Sequence, residues 1–184
     1  ELIINEPDPK TGEGEIWARG SNVMKGYYKE PEMTKEVITP DGWFKTGDLG
    51  MFDENKNLYI KGRLKNMILG ASGENIYPEE IESIINNFRF VVESLVIQQK
   101  GKLVAYVHLN MEELENKYTH LKEEVSKQFD GKTKQVEDKV NEMLVELRDY
   151  VNSRVNKFSQ IQKVVIQNDP FQKTATLKIK RFLY

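Results

Sequence analysis

Residues 43–63, WFKTGDLGMFDENKNLYIKGR, decide the fold because they contain two apolar runs on either side of a turn-rich segment. That segment is DENKN at 53–57, and short β runs around such a segment predict a hairpin. When the turn is centred near Asn55, counting back along both arms brings Asp48 and Arg63 to opposite positions at the open end. The sequence therefore predicts an acidic and a basic side chain that face each other across two strands.

The segments upstream of this hairpin are short β runs separated by residues that break regular structure. ELIIN and EIWARG read as strands on either side of the Pro- and Gly-rich loop NEPDPKTGEG. The stretch that follows, MKGYYKEPEMTKEVITPDG, contains several further Gly and Pro residues. We therefore expect residues 1–62 to form a β-rich portion.

A second hairpin and a helix are predicted after Arg63. NMILGASGENIYP has the pattern of a hairpin whose turn contains Gly70, Ser72 and Gly73, and Pro78 suits the first turn of a helix over PEEIESIINNF. The apolar residues at helical spacing predict the buried face of that helix, which consists of Ile81, Ile84, Ile85 and Phe88.

The remainder of the chain alternates between strand and helix patterns. ESLVIQQ and KLVAYVHL predict two strands around a turn at Lys100 and Gly101, and QKVVIQ predicts another strand. Two core-facing helical runs are predicted between these strands, the first through Met111, Leu114, Tyr118, Leu121 and Val125 and the second through Val136, Val140, Met143, Leu144, Leu147 and Val151. Residues 63–184 should therefore form an α+β domain with a mixed sheet flanked by helices. Its join to the β-rich portion is Arg63, Leu64 and Lys65.

Composition and charge exclude several classes of protein. The 184 residues include 27 basic and 29 acidic side chains, and the formal net charge of −2 gives no overall field for holding nucleic acid or an anionic membrane. The absence of cysteine excludes disulfides, thiolate metal sites and a cysteine nucleophile, and it fits a reducing compartment. The longest apolar run, FVVESLVI, is interrupted by Glu93 and is far shorter than the roughly 20 residues of a membrane span. The first residue is Glu1, and we expect the sequence to be a piece of a longer protein.

Several residues outside the core could bind a ligand. Asp48 either bonds nearby backbone amides at a hairpin corner or, with Arg63 opposite, accepts hydrogen bonds from both hydroxyls of a ribose. The glycine-rich GASGENIYPEE lacks the lysine and spacing of a phosphate-binding loop, so it predicts a tight turn that lets backbone approach a strand or a slender ligand. His108 and His120 lack metal-ligand spacing, and no metal site is predicted.

The terminal stretch KTATLKIKRFLY, residues 173–184, alternates apolar and basic residues. Alternation predicts a strand, on which Lys178 and Lys180 would share one face while Leu177 and Ile179 share the other. Lysine commonly protects the edges of sheets. Two interpretations therefore remain: an edge strand with a solvated basic face, and a strand that holds a catalytic lysine.

A set of motifs in the chain resembles the adenylate-forming superfamily in order and separation, and especially its long-chain acyl-CoA synthetases. The motifs are GEIWARGSNVMKGYYKEPEMT, GWFKTGDLG, YIKGRLKNMILGASGENIYPEEIE and KTATLKIKR, and together they cover nearly the whole chain. The resemblance implies an enzyme that activates a carboxylate with ATP to an acyl-adenylate and pyrophosphate, and then passes the acyl group to coenzyme A. It also implies that residues 1–62 are the last piece of a large adenylating domain and that 63–184 are the small, mobile C-terminal domain.

The resemblance assigns roles to individual residues. Asp48 matches the acid that binds the ribose hydroxyls of ATP or AMP, and Arg63 matches the arginine beside it. Lys65 matches the hinge about which the small domain swings between the two half-reactions, and Gly73 matches the glycine that lines the pantetheine tunnel. Lys178 matches the catalytic lysine that bridges carboxylate and phosphate oxygens during adenylation, where a fixed cation stabilises charge as it develops.

Two places depart from the pattern of many relatives. Thr176 and Leu177 stand where Ser-Gly commonly precedes the catalytic lysine, a form closer to the long-chain branch, and a shift of register would make Lys180 the reactive residue. Asn75 stands where many relatives have an arginine two residues after the tunnel glycine, so no phosphate contact is assigned there.

The resemblance also implies the substrates, cofactors and location of the full-length enzyme. These are ATP, Mg²⁺, coenzyme A and a fatty acid, in the cytoplasm, with no nucleic acid and no membrane span, while peripheral membrane contact stays open. The phosphate loop of such enzymes belongs to the part of the large domain that precedes these motifs, so the chain alone is expected to be inactive. Two alternatives remain: an adenylation domain that loads a carrier protein, and a non-catalytic interaction module built on the helices from Met111 to Phe158.

Overall fold

The computed structural model describes residues 1–114, 116 and 132–184, except for the side chains of 132–137. This part of the chain forms two compact units, Glu1–Met67 and Ile68–Tyr184. The division follows Met67, slightly beyond the boundary that the sequence indicated after Gly62. A hinge at Lys65 stays a prediction, and the mixture of helices and sheets confirms the α+β class.

The first unit is an antiparallel sheet whose strands lie side by side in chain order. The strands are β1 (Leu2–Asn5), β2 (Gly14–Ala18), β3 (Phe44–Phe52) and β4 (Leu58–Arg63). A short helix, α1 (Pro31–Val37), lies between β2 and β3 in the chain and begins with proline, whose missing N–H is not needed at that position. Ile16 and Leu49 are buried in this unit.

The hairpin predicted from residues 43–63 is the pair β3 and β4, and its register is confirmed at the open end. Asp48 pairs with Arg63, whereas Gly50 pairs with Ile60. Continuing the second register without interruption would place Asp48 opposite Gly62. One extra residue on β4 forms a bulge that shifts the register. The bulge therefore brings the arginine, rather than a glycine, to the acid.

The second unit contains the second predicted hairpin, the first predicted helix and a mixed sheet. The hairpin is β5 (Ile68–Leu69) with β6 (Asn75–Ile76), and the helix is α2 (Pro78–Ile85). In the sheet, β8 (Lys102–Leu109) lies between an antiparallel neighbour and a parallel one, which are β7 (Val91–Gln99) and β9 (Lys163–Ile166). A long helix, α3 (Lys132–Asn152), precedes β9.

The core of the second unit joins α2, the mixed sheet and α3. Its buried side chains are Ile76, Ile81, Ile85, Phe88, Val96, Leu103, Ala105, Val107, Leu109, Leu114, Met143, Leu147, Val151 and Ile161. The buried residues predicted for this helix are confirmed, with Ile84 partly buried against the same cluster, but α2 ends at Ile85 and Phe88 lies beyond it. Among the described residues, no helix combines the length and the apolar character that crossing a bilayer requires.

The two predicted helical runs have different outcomes. Residues 111–114 and 116 are helical, and Leu114 is fully buried, but Met111 is 44% exposed, so its prediction as a core residue is wrong. The second run is helical within α3, and its buried residues are Met143, Leu147 and Val151. The predictions for Tyr118, His120, Leu121 and Val125 lie outside the described residues, and so does the side chain of Val136.

The strand predicted at the C-terminus is wrong. Lys173 and Ile179 form an isolated antiparallel bridge, and the residues between them make a tight turn. The carbonyl of Thr174 accepts from the N–H of Leu177 at 2.9 Å, and its Oγ1 accepts from the N–H of Lys178 at 3.2 Å. Local turn and hydroxyl hydrogen bonds compete with strand pairing. The alternating pattern therefore closes into a loop.

Leu147→Ala in the 184-residue chain should lower the free energy of unfolding by about 2–5 kcal/mol, because Leu147 is fully buried and its truncation leaves a cavity. Val145→Ala on the same helix is the matched control, since Val145 is 50% exposed, and it should change the stability by about 0.5 kcal/mol or less. Urea denaturation followed by circular dichroism measures both variants. A loss at Leu147 no greater than at Val145 would contradict the core described above.

Candidate functional site

The first candidate residues lie at the open end of the hairpin formed by β3 and β4. Arg63 Nε lies 3.0 Å from Asp48 Oδ1, and Arg63 Nη1 donates to the carbonyl of Thr46 at 2.9 Å. The side chain of Asp48 is 32% exposed and that of Arg63 is 47% exposed. A carboxylate has two acceptor oxygens and a guanidinium has five N–H donors. The pair can therefore hold together and still bind hydroxyl groups of a ligand.

Thr46 stabilises the corner that precedes Asp48. Its Oγ1 donates to the carbonyl of Ile16 at 2.7 Å and accepts from the backbone N–H of Asp48 at 3.0 Å. The hydroxyl of Thr46 thus makes the bonds to nearby backbone that the hairpin-corner interpretation assigned to the carboxylate of Asp48. The carboxylate of Asp48 pairs with Arg63 instead.

Glu15 on β2 also supports this corner, and the sequence alone did not identify it. Its Oε1 accepts from the N–H of Gly47 at 3.1 Å, and its Oε2 accepts from Trp17 Nε1 at 2.9 Å. Gly47 has a φ of +72°, a conformation that glycine adopts without strain. Because Gly47 directly precedes Asp48, the direction of the Asp48 carboxylate depends on a residue from another strand.

Lys65 is exposed in a 3₁₀ turn, Leu64–Asn66, which follows β4 directly. Arg63 before this turn has extended backbone, with φ of −91° and ψ of 133°, whereas Met67 after it has φ of −55° and ψ of 133°. Because neither flanking residue is helical, this single short turn can change its dihedral angles without breaking an α-helix or a sheet. This geometry is compatible with the hinge role that the resemblance implies.

Gly73 lies in the turn between β5 and β6. Its φ is +90°, and its N–H donates to the carbonyl of Gly70 at 3.1 Å. Apart from Gly73 and its two neighbours in the chain, no heavy atom of the described residues comes within 4 Å of the position that a Cβ would occupy, so the turn is open on that side. A cleft of about 160 Å³ lies beside it, lined among others by Ser72, Phe158 and Gln162.

Lys178 is exposed within the segment Phe171–Tyr184, which we name the lysine loop. Leu177 before it has a φ of +60° and is 79% exposed. Glycine, which the family pattern places at that position, adopts this conformation freely, whereas leucine is strained there. The N–H of Lys180 donates to the carbonyl of Gln172 at 2.8 Å, so Lys180 stands where the two arms of the loop meet. Lys178 is therefore the better presented of the two lysines.

The incoming arm of the lysine loop is attached to β7 and to the chain terminus. Glu93 Oε1 accepts from the N–H of Phe171 at 3.0 Å, and Glu93 Oε2 lies 2.5 Å from Lys173 Nζ. The buried ring of Phe171 meets the ring of Tyr184 edge to face, with 5.2 Å between centroids. These contacts join residues far apart in the chain, and no spacing rule predicts them.

Metal-ligating side chains do not converge in the part of the chain that the structure describes. No group of three or more His, Cys, Asp or Glu residues there could hold a metal ion. His108 Nδ1 lies 3.0 Å from the carbonyl of Gln167, just after β9, which fits a structural role. His120 lies outside the described residues.

Sequence comparisons identify relatives of this chain. No protein-family model matches it. It is 32% identical over 189 residues to the probable acyl-activating enzyme 9 of Arabidopsis thaliana, an alignment that covers 98% of this chain and 31% of the relative. It is 50% identical over 84 residues to the long-chain-fatty-acid–CoA ligase heimdall of Drosophila melanogaster, covering 46% of this chain and 12% of the relative. The chain thus spans a third or less of the length of these relatives.

Solved structures share the fold. The O-succinylbenzoate coenzyme A synthetase MenE from Bacillus subtilis, in complex with ATP and magnesium ion, matches with a TM-score of 0.70 and 29% identity. The match covers 99% of this chain and 33% of that chain. The same synthetase in complex with AMP matches with a TM-score of 0.70 and 28% identity, over 99% of this chain and 32% of that chain. Given these relatives, the motifs and the fold, the chain belongs to the adenylate-forming superfamily.

Proposed function

We propose that this chain is the C-terminal part of a long-chain fatty-acid–CoA ligase. The enzyme forms an acyl-adenylate from a fatty acid and ATP, and then transfers the acyl group to coenzyme A. The main support is the alignment with acyl-activating enzyme 9, because it extends over 98% of the chain and therefore over both units. The long-chain class is supported by the name of the Drosophila relative.

Asp48 and Arg63 hold the nucleotide in this proposal. The carboxylate of Asp48 accepts from the two ribose hydroxyls, while Arg63, itself bonded to the carbonyl of Thr46, keeps the carboxylate in place. Holding the ribose adds no chemistry of its own. It lowers the barrier by fixing the α-phosphate near the attacking carboxylate.

Lys178 acts in the first half-reaction. A carboxylate oxygen of the fatty acid forms a bond to the α-phosphorus, and the bond from that phosphorus to the oxygen of the leaving pyrophosphate breaks. No proton has to move, so the barrier depends on the charge that develops on the phosphate oxygens. The ammonium of Lys178, presented on the lysine loop, stabilises that charge.

Mg²⁺ enters with the nucleotide, because proteins usually hold it through substrate phosphates and one or two carboxylates. The described residues offer no cluster of ligands for it, so we assign it no ligand on this chain.

Gly73 and Lys65 act in the second half-reaction. The thiol sulfur of coenzyme A attacks the acyl carbonyl of the adenylate, the thiol loses its proton, and AMP leaves. The turn at Gly73 presents no side chain, which lets the slender pantetheine arm pass close to the backbone. Lys65 is the hinge at which the dihedral angles change between the two steps. We place this enzyme in the cytoplasm.

The proposed function is tested on the full-length protein by ATP–pyrophosphate exchange and by thioester formation. Palmitate should support exchange without coenzyme A, acetate should support much less, and palmitoyl-CoA should form when coenzyme A is added. Exchange that yields a thioester only with a carrier protein would favour the carrier-loading alternative. An absence of carboxylate-dependent exchange would overturn the proposal.

The 184-residue chain by itself should release no pyrophosphate from ATP and palmitate. The glycine-rich segment it contains lacks the lysine and spacing of a phosphate-binding loop, and positioning supplies most of the catalysis in such a transfer. A coupled pyrophosphate assay, with heat-denatured chain as the control, measures this. Release above the control would contradict the prediction.

A further inference from the structure

Arg181 attaches the outgoing arm of the lysine loop to the second unit. Its Nη1 donates to the carbonyl of Val96 at 3.2 Å, and its Nη2 pairs with the carboxylate of Glu82. Glu82 Oε1 accepts from the N–H of Val96 at 2.6 Å. Because Glu82 lies on α2 and the buried Val96 lies on β7, one ion pair ties the loop to both a helix and the sheet.

This pair is more shielded from solvent than the ion pair of Arg89 with Glu146 in the same unit. The side chains of Arg181 and Glu82 are 21% and 12% exposed, whereas those of Arg89 and Glu146 are 46% and 54% exposed. An exposed pair contributes little to stability. A shielded pair often contributes little net stability as well, because desolvation opposes the attraction, but removing one partner leaves an uncompensated charge. We therefore expect the Glu82–Arg181 pair to fix the position of the lysine loop rather than to add much to the free energy of unfolding.

Lys178 lies between the two attachments of the lysine loop, three residues before Arg181. On the incoming arm, Glu93 holds the backbone of Phe171 and the side chain of Lys173. If the outgoing arm were released, the bonds that close the turn would remain, but the turn could rotate about its incoming attachment. The pair at Arg181 thus gives the turn a second fixed point on α2 and β7, which limits its rotation.

We propose that Glu82 and Arg181 are positioning residues for Lys178, and that their ion pair sets the place from which the lysine ammonium reaches the reacting phosphate. This inference rests on the proposed function of Lys178. Neither residue touches the substrate, so both act on the adenylation step through the lysine loop alone.

The protonation of Glu82 gives this pair a pH dependence. Burial raises the pKa of Glu82 to about 7, the Arg181 guanidinium and the N–H of Val96 oppose the rise, and the nearby Glu79 carboxylate adds to it. Arg181 Nη2 lies 3.9 Å from Glu79 Oε1. The proposal requires that the contact of Glu82 with Val96 keep its carboxyl against β7 when the loop is released, so that release removes mainly the attraction of Arg181. Ionisation of Glu82 above pH 7 therefore favours the attached loop.

The first test compares the half-reactions of the full-length ligase with those of the Glu82→Gln variant. Glutamine keeps the shape and an acceptor for the N–H of Val96 but has no charge. At pH 8 the kcat of adenylation should fall about tenfold, within the loss of about a hundredfold that a misplaced group can cause. Transfer from a supplied acyl-adenylate to coenzyme A should stay within about twofold of the wild-type rate.

The same comparison at several pH values tests the role of the charge. The ratio of wild-type to Glu82→Gln adenylation rates should approach one at pH 6, where Glu82 is itself neutral, and rise through a midpoint near pH 7. Groups that titrate in both proteins affect both rates equally, so their pH dependence does not appear in the ratio. A ratio independent of pH, or equal losses in both half-reactions, would overturn the proposal.

Two further variants complete the test. Arg181→Gln should cause at least the loss of Glu82→Gln, because it also removes the bond to the carbonyl of Val96, and the double variant should lose no more than Arg181→Gln because the ion pair is already gone. Glu146→Gln is the matched control, since it removes a carboxylate from an exposed pair in the same unit, and it should leave both rates within about twofold. Additive losses in the double variant would overturn the proposal.

Amide hydrogen exchange of the 184-residue chain separates this inference from the proposed function. In Glu82→Gln at pH 8, exchange at Lys180, whose N–H bonds the carbonyl of Gln172, should accelerate about tenfold, while the amides of β8 stay unchanged. If exchange at Lys180 accelerates in Glu82→Gln but the full-length protein makes no acyl-adenylate, the attachment of the loop through Arg181 is supported and the proposed function is refuted. Unchanged exchange at Lys180 would overturn the attachment even where the ligase is active.

Discussion

Replacing Lys178 by alanine in the full-length ligase should slow formation of the acyl-adenylate by about a hundredfold or more, the loss expected when one fixed electrostatic stabiliser is removed. Transfer from a supplied acyl-adenylate to coenzyme A should remain nearly intact, because our proposal gives the lysine a role in the first step only. The fold should not change, since the side chain is exposed. Rapid-quench measurement of pyrophosphate release gives the first rate, and mixing synthetic acyl-adenylate with coenzyme A gives the second.

Lys180→Ala is the matched control for this experiment. Lys180 lies where the arms of the lysine loop meet, and its backbone N–H, which alanine keeps, makes the bond to Gln172. Its loss of adenylation should therefore be much smaller than that of Lys178→Ala. A larger loss would make Lys180 the reactive residue. Equal losses of both half-reactions in Lys178→Ala would contradict the role given to Lys178.

Lys65→Pro in the full-length ligase should separate the two half-reactions. Proline fixes φ near −65°, a value typical of the 3₁₀ turn in which Lys65 lies, and the N–H it removes has no partner within the first turn of a helix. It also disfavours the helical region at Leu64 before it, which further limits the dihedral changes open to the turn. Adenylation should stay within about tenfold, which corresponds to about 1.4 kcal/mol, while transfer to coenzyme A should fall much further.

Single-turnover assays of each half-reaction measure this effect. Lys65→Ala is the control, because it removes the side chain but keeps the freedom of the backbone, and both of its rates should stay close to wild type. If Lys65→Pro lowers both steps together, or changes neither step in a folded protein, then Lys65 is not the hinge.

Elements whose partners lie close in the chain could be predicted from local patterns. The turn-rich DENKN segment indicated the hairpin of β3 and β4, and Pro78 indicated the start of α2. The turn between β7 and β8 was expected at Lys100 and Gly101, both of which have positive φ. Turn chemistry and side-chain periodicity act over a few residues, so the sequence shows them directly.

The family resemblance named the candidate site residues, but it did not describe their support. The facing of Asp48 and Arg63 depends on a bulge in β4, and the corner before Asp48 depends on Glu15 from another strand. A bulge is decided by the balance of ladder bonds along both strands, and a bond between strands by the sheet that brings them together. Neither is a property of a short window of sequence.

The C-terminal segment shows most clearly what only the tertiary structure decided. Lysines and apolar residues alternate in KTATLKIKR, and this local periodicity favoured a strand. The folded chain instead closes this segment at Thr174 and fastens its outgoing arm through Arg181 to Glu82, a residue 99 positions away. Such a contact exists only after α2 and β7 have packed, because packing shields the carboxylate and brings it within reach of the guanidinium. Sequence thus named the residues to which we assign the chemistry, and long-range packing decided where Lys178 lies.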